Sequence, residues 1–172
     1  MHPFIVHFPI AFLMLYALCE LLRFQKITVQ PFWFYLKASL SIIGVISALA
    51  AIITGGMIEA MFRSIPEKNA IVPVHEMWAM ITLIIFAIPA IAYLITWMQA
   101  PECAKSLERC TSIKKISNAL SPLAKKVLTT KIVVPLALIG LVSVSITGGL
   151  GGAMVHGINF DPTVAFIYNL FF

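Results

Sequence analysis

Charged residues are scarce in this 172-residue chain: they make up 11% of it, whereas hydrophobic residues make up 60%. A soluble domain averages about 25% charged and roughly 45–50% apolar residues. The composition therefore excludes an ordinary soluble enzyme, a disordered tail and a nucleic-acid-binding module, so we expect no nucleic-acid partner.

Several motifs of common chemistry are also missing. The sequence has no HExxH of a zinc hydrolase, and the hydrolase class is disfavoured further because no paired acid–base carboxylates occur. It has no CxxC and no CxxCH, which excludes a covalently attached c-type haem. Cys19, Cys103 and Cys110 form no even disulfide framework, so we expect free thiols.

The apolar residues fall into four runs, each close to the roughly 20 residues that cross a bilayer as a helix. The predicted spans are about 3–22, 32–56, 74–97 and 132–152. The first run lacks a basic n-region and a small-x-small cleavage site, so we expect a retained helix rather than a signal peptide. We therefore predict an all-α integral membrane four-helix bundle, a single polytopic domain over residues 1–172 in a lipid bilayer.

Basic residues predict the orientation of these spans. Two of them, Arg63 and Lys68, lie on the side that holds both termini and the 57–72 loop. Ten lie on the other side: Arg23, Lys26, Lys37, Lys105, Arg109, Lys114, Lys115, Lys125, Lys126 and Lys131. Because cytoplasmic loops are enriched in Lys and Arg, we predict that the 99–131 loop is cytoplasmic and that both termini are periplasmic.

The segments outside the spans have a pattern of their own. The basic 99–131 loop has some helical amphipathicity, which favours an interfacial segment attracted to anionic lipid over a docking site for a cytoplasmic partner. In the periplasmic tail, 157–172, Asp161 is a good N-cap and Pro162 follows it at N1. A short apolar C-terminal helix is expected there, lying in the interface or folded over the end of the bundle.

One carboxylate, Glu20, lies inside the first span near its cytoplasmic end. We expect it to reach the interface or to pair with Arg23, and we favour this over a role in proton relay.

The two halves of the chain share short motifs. The first and third spans open with VHF (6–8) and VHE (74–76), and the second and fourth close with ITGG (53–56 and 146–149). A two-by-two-helix parallel repeat would produce this pattern, although short apolar matches also arise by chance. The glycines around Gly148 and Gly149 favour close helix packing; the alternative is a surface for a flat cofactor or a second chain, as in a homo-oligomer.

The histidines carry the sharpest functional signal. His2, His7, His75 and His156 all fall on the predicted periplasmic side, although His2 and His7 are five residues apart and do not share a helical face. A b-type haem could take His7, His75 and His156 as candidate ligands, Arg63 and Lys68 as propionate partners, and Gly148 and Gly149 as room for the macrocycle.

Two alternatives to haem remain open. A transition metal could be held by the four histidines, with Glu76 as a carboxylate ligand or as the group that orients an imidazole. Histidines that are structural or that sense pH, with no cofactor, are the other alternative.

The opening MHPFIVHFPIAFLMLY resembles a bacterial membrane family, the domain of unknown function 2231, at His2, Pro3 and the run Val6 to Ala11. VHEMWAMITL (74–83) resembles the family's histidine at the head of its third helix, and GGLGGAMVHG (148–157) resembles its glycine-rich close. The resemblance implies a four-helix bundle in a bacterial inner membrane and an association with electron transfer. It implies no catalytic residue, so whether the chain is an enzyme stays undecided.

Three functions follow as hypotheses. The first is a redox-associated subunit that passes electrons between a quinone or periplasmic carrier and a membrane partner. The second is a non-catalytic accessory or assembly subunit that packs through its glycine faces. The third is a small transporter, disfavoured because the spans carry few polar groups near the midplane.

Overall fold

The computed structural model describes residues 2–22, 24–101, 103, 111–159 and 161–172, and over these ranges the chain is helical with no strand. The helices of the described ranges are α1 (His2–Ile5), α2 (His7–Leu21), α3 (Gln25–Thr28), α4 (Pro31–Arg63), α5 (Pro66–Asn69), α6 (Ile71–Met98), α7 (Thr111–Val127), α8 (Thr130–His156) and α9 (Pro162–Tyr168).

Three of these helices, α4, α6 and α8, are long and apolar enough to cross a membrane. The fourth predicted span is α2, which is apolar but only 15 residues long. Its 15 residues extend about 22 Å, less than the roughly 30 Å of a hydrocarbon core. Val6, between α1 and α2, also has α-helical backbone angles, so the helical path is nearly continuous from His2 to Leu21.

The glycine motifs do not end the helices, which corrects the predicted boundaries. α4 continues through Gly55 and Gly56 to Arg63, so most of the expected 57–72 loop is helical. α8 continues through the second ITGG and ends before Gly157. Among the described residues, Gly157 is the glycine with a positive φ, which is 93°. A glycine stops a helix where it adopts a left-handed conformation, and those inside α4 and α8 do not.

The long helices pack as antiparallel neighbours along the chain. α2 contacts α4 and α8, and α6 contacts the same two helices from the other side. Leu13, Tyr16 and Phe86 are fully buried between them. Gly44 lies under Leu13, and Gly140 lies under Phe86, so missing side chains on α4 and α8 admit large ones from α2 and α6.

The packing produces two ends of different chemistry. At the histidine end, α2 and α6 begin, α4 and α8 finish, and α9 folds back onto α8. At the lysine end, α2 and α6 finish, α4 and α8 begin, and α7 packs on α6. As predicted, the Asp161 carboxylate caps α9 by accepting hydrogen bonds from the backbone N–H groups of Thr163 and Val164, and Pro162 is its first residue.

Candidate functional site at the histidine end

The fold holds His75 in a defined orientation. It lies in the second turn of α6, is half-buried, and its Nδ1 is 3.1 Å from the carbonyl oxygen of Thr147 on α8. Because a carbonyl can only accept a hydrogen bond, Nδ1 carries the hydrogen and Nε2 is the ring nitrogen with the lone pair in the neutral ring. Metal-ligating histidines are oriented by the same kind of Nδ1–H to carbonyl bond.

Gly151 explains why the imidazole can approach α8 so closely. A Cβ added at this glycine would lie 3.3 Å from Cε1 of His75, tighter than an ordinary van der Waals contact. The His75 ring therefore packs against the backbone at Gly151 and bonds to the carbonyl of Thr147, one turn earlier on α8.

The rest of the glycine face of α8 is covered by the chain's own side chains. Ile10 of α2 lies over Gly148, Ile167 of α9 over Gly149, and Val164 of α9 over Gly152. Gly148 and Gly149 were predicted to leave room for a flat macrocycle, and in the structure side chains of α2 and α9 pack over them. This face of α8 is a helix-packing surface while α9 is docked.

The other predicted ligands lie at helix ends. His7 is exposed in the first turn of α2, and His156 is exposed at the last residue of α8. His2 begins α1, and its side chain is outside the described part of the structure. Within the described residues, no group of three or more His, Cys, Asp or Glu side chains lies close enough to hold a metal ion.

Arg63 and Glu76 belong to one ion-pair network within the chain. The Arg63 guanidinium donates to the Glu59 carboxylate one turn earlier and, at 3.3 Å, to Glu76 at the start of α6. Lys68 Nζ lies 5.5 Å from the centre of the Phe62 ring. A haem propionate would therefore compete with two carboxylates for Arg63, and a metal would compete with Arg63 for Glu76.

Trp78 is a feature of the histidine end that the sequence did not single out as a site residue. Its indole N–H is buried and has no hydrogen-bond partner among the described residues. The ring packs beside Phe171 of the tail, with 5.9 Å between centroids. Since Trp78 follows His75 by three positions on α6, the two rings lie on neighbouring parts of one helix face.

A hydroxyl cluster lies deeper on the same helix. The Thr82 hydroxyl is 2.6 Å from that of Ser143 and 3.0 Å from that of Thr147, both on α8. His75 and Thr82 are seven positions apart, and Ser143 and Thr147 four, so helical spacing on two facing helices was the available signal. The cluster weakens the sequence argument that the spans hold few polar groups.

A second polar group is centred on Glu20 at the lysine end, and the sequence analysis identified this carboxylate but not its partners Tyr93 and Lys37. The carboxylate is 1% exposed, accepts a hydrogen bond from the Tyr93 hydroxyl, and is 2.9 Å from Nζ of Lys37. The expectation that Glu20 would reach the interface is wrong, because it is enclosed between α2, α4 and α6. Arg23, its other expected partner, lies outside the described residues.

Long apolar helices that bury small polar clusters between them define a helical membrane protein. The chain belongs to the DUF2231 family, described as a predicted membrane protein, whose family model matches residues 1–161. This confirms the resemblance inferred from the three histidine-containing motifs. No curated protein and no solved structure matches the chain.

Proposed function

We propose that this membrane protein is a redox-associated subunit in which His75 is a ligand of a transition-metal centre, either a metal ion or a b-type haem. The observation that carries the proposal is the Nδ1 to Thr147 carbonyl bond, which orients the ring as in known metal sites. The Trp78 indole N–H, which lies one turn further along α6 and has no partner in the described part of the chain, supplies a donor for a bound group that can accept a hydrogen bond.

The two forms of the centre make different demands on the structure. A haem against the glycine face requires α9 to move, because Val164 and Ile167 occupy it. A metal ion leaves α9 in place but requires His7, His156 or Glu76 to come closer to His75, since these side chains form no ligand group in the described chain. Electron exchange with a quinone or a periplasmic carrier is the role that either form would serve.

The proposed setting is a bacterial inner membrane spanned by α4, α6, α8 and the α1–α2 segment as a four-helix bundle. Lysines concentrate at one end of these helices, and the positive-inside rule assigns that end to the cytoplasm. The histidine end, with both termini, then faces the periplasm.

The test is an optical spectrum of the detergent-purified chain, oxidised and then reduced with dithionite, with metal analysis of the same sample. We expect close to one haem or metal per chain, lost in His75→Ala while helicity is retained. Ser145→Ala is the matched control, because Ser145 is exposed on α8 and its hydroxyl donates a hydrogen bond to the backbone carbonyl of Leu141 on the same helix. A folded, cofactor-free protein, made with haem and metals supplied, contradicts the proposal.

A second candidate function, that of an accessory subunit, is favoured by Gly56. Every other glycine of α4 and α8 whose neighbours are described has a side chain of this chain against it, whereas no atom from elsewhere in the described residues lies within 4 Å of a Cβ built at Gly56. The exposed Ile53 and Met57 flank it, and Ala60 follows at the small-xxx-small spacing at which membrane helices associate.

A further inference from the structure

Helix α7 has three different faces: one packs on α6, one is apolar and exposed, and one carries lysines. Ser117 and Ala124, seven positions apart, are buried where α7 packs on α6. The Gln99 side-chain amide, just beyond α6, donates to the Ser117 hydroxyl at 2.8 Å and to the Asn118 side-chain oxygen at 3.1 Å. The helix is therefore docked in a fixed rotation about its own axis.

A stripe of large apolar side chains adjoins the docked face, and no other part of the chain that the structure describes covers it. Its members follow helical spacing and are between 39% and 61% exposed: Ile113, Ile116, Leu120 and Leu123. At 3.6 residues per turn these four positions fall within a narrow arc. Exposed apolar surface of this kind marks a contact with a partner or a membrane.

The third face carries the charge. Lys114, Lys115, Lys125 and Lys126 lie across the helix from the apolar stripe, and α7 has no acidic residue. Lys125 follows Ile116 by nine positions, about two and a half turns, so the two side chains leave opposite faces. Lysines opposite an apolar stripe are typical of helices that lie in the surface of an anionic membrane.

The position of α7 along the bundle agrees with a location at the membrane surface. Gln99 anchors it at the end of α6, and two positions earlier Trp97 contacts Tyr35 of α4, with 5.4 Å between ring centroids. Tyr and Trp are enriched at the level of lipid headgroups. The apolar stripe thus adjoins the apolar helices at the level where a bilayer changes from hydrocarbon to headgroup.

We propose that α7 is an anionic-phospholipid-binding helix, with its Ile113–Leu123 stripe in the acyl chains and its four lysines on the headgroups. Rotation of α7 against α6 fixes which face meets the bilayer. Each lysine near an anionic surface strengthens binding about fivefold. Four together therefore give the helix a strong preference for anionic over neutral lipid.

The experiment uses the full chain, with Cys19→Ala, Cys103→Ser and Cys110→Ser, reconstituted into vesicles of phosphatidylcholine alone or mixed with phosphatidylglycerol. An environment-sensitive fluorophore is attached at Ile116→Cys or, as the matched control, at Lys125→Cys. We expect a blue-shifted emission at the first position, several-fold stronger quenching by nitroxide lipids than at the second, and a larger effect with phosphatidylglycerol. In the protein labelled at Ile116→Cys, changing all four lysines to Gln should remove the difference between the lipid mixtures.

Three outcomes overturn the proposal. Equal water exposure at both positions shows that the stripe does not enter lipid. A label at residue 116 that is shielded from water but not quenched by lipid shows that a second copy or another protein covers the stripe. Equal signals in both lipid mixtures remove the role of anionic headgroups.

Discussion

At the scale of single residues, one buried ion pair joins three of the packed helices. Lys37 is 15% exposed, and its Nζ contacts the Glu20 carboxylate and also lies 5.6 Å from the centre of the Tyr93 ring. A buried ion pair is stable only while both partners are present, because the desolvation cost of each charge is offset by the other. Glu20, Lys37 and Tyr93 therefore act as one unit that ties α2, α4 and α6 together.

The first prediction concerns that unit. Glu20→Gln and Lys37→Met, made singly, should each destabilise the folded protein by about 3 kcal/mol, since each leaves a charge without its partner. The double variant should recover most of the loss, because no unpaired charge remains. Denaturant unfolding of the four proteins in one detergent measures this as a double-mutant cycle. Additive losses in the cycle would mean that the two charges do not interact.

At the residue scale the histidine end is only partly foreseeable. That His75 occupies a helix start could be predicted from the VHE motif, but its carbonyl partner could not. Thr147 lies 72 positions away, and only the pairing of α6 with α8 brings it to the ring. The surroundings of Trp78 could not be predicted for the same reason, because its ring packs beside Phe171 of the tail, which is 93 positions away in the chain.

At the scale of elements, α9 is held by the glycine face of α8. Val164 and Ile167 are buried against Gly152 and Gly149, while the neighbouring Gly148 has only an ordinary contact, 3.6 Å from its hypothetical Cβ to Ile10. Two adjacent glycines therefore differ in what an added methyl group would meet.

The second prediction uses that pair. Gly149→Ala should destabilise the docking of α9 by about 1–3 kcal/mol, because the new methyl group overlaps Ile167 and overpacking costs that much. Gly148→Ala should be neutral or stabilising by up to about 1 kcal/mol, because alanine favours the helix and no clash arises. Limited proteolysis of the C-terminal segment and thermal unfolding in detergent distinguish the two. Equal behaviour of both variants would contradict the packing described for α9.

Helix boundaries show where element-level reasoning failed. The ITGG motifs suggested helix ends because glycine often follows a final turn, but glycine inside a helix also serves close packing. Local sequence does not separate these uses. In α8 the glycines serve close packing, because Ile167 lies over Gly149 and the ring of His75 lies over Gly151.

For the whole molecule, the open glycine of α4 is the feature that relates to association. The accessory hypothesis relies on the glycine faces of the chain, which include Gly55 and Gly56 on α4 and Gly148 and Gly149 on α8. The last two are covered by Ile10 and Ile167 of the chain itself, so bulk there should disturb folding first.

The third prediction follows. Gly56→Leu should reduce the mass of the detergent-solubilised particle if α4 packs against a second chain, because the side chain would separate the two backbones. Ser145→Leu, a bulky change on an exposed part of α8, should leave the mass unchanged. Analytical ultracentrifugation of both variants beside the parent measures it. An unchanged mass for Gly56→Leu, from an oligomeric parent, would place the association elsewhere.

The sequence by itself determined the class of this protein, its helical structure, and the separation of most lysines from the histidines. Length and hydropathy of a run are local properties, and the bilayer imposes a minimum on both. Tertiary structure alone decided that Glu20 pairs with Lys37, that His75 rests on Thr147 and Gly151, and that α9 fills the glycine face. Each of these contacts joins helices that are distant in the chain, so it depends on which faces meet when the helices pack.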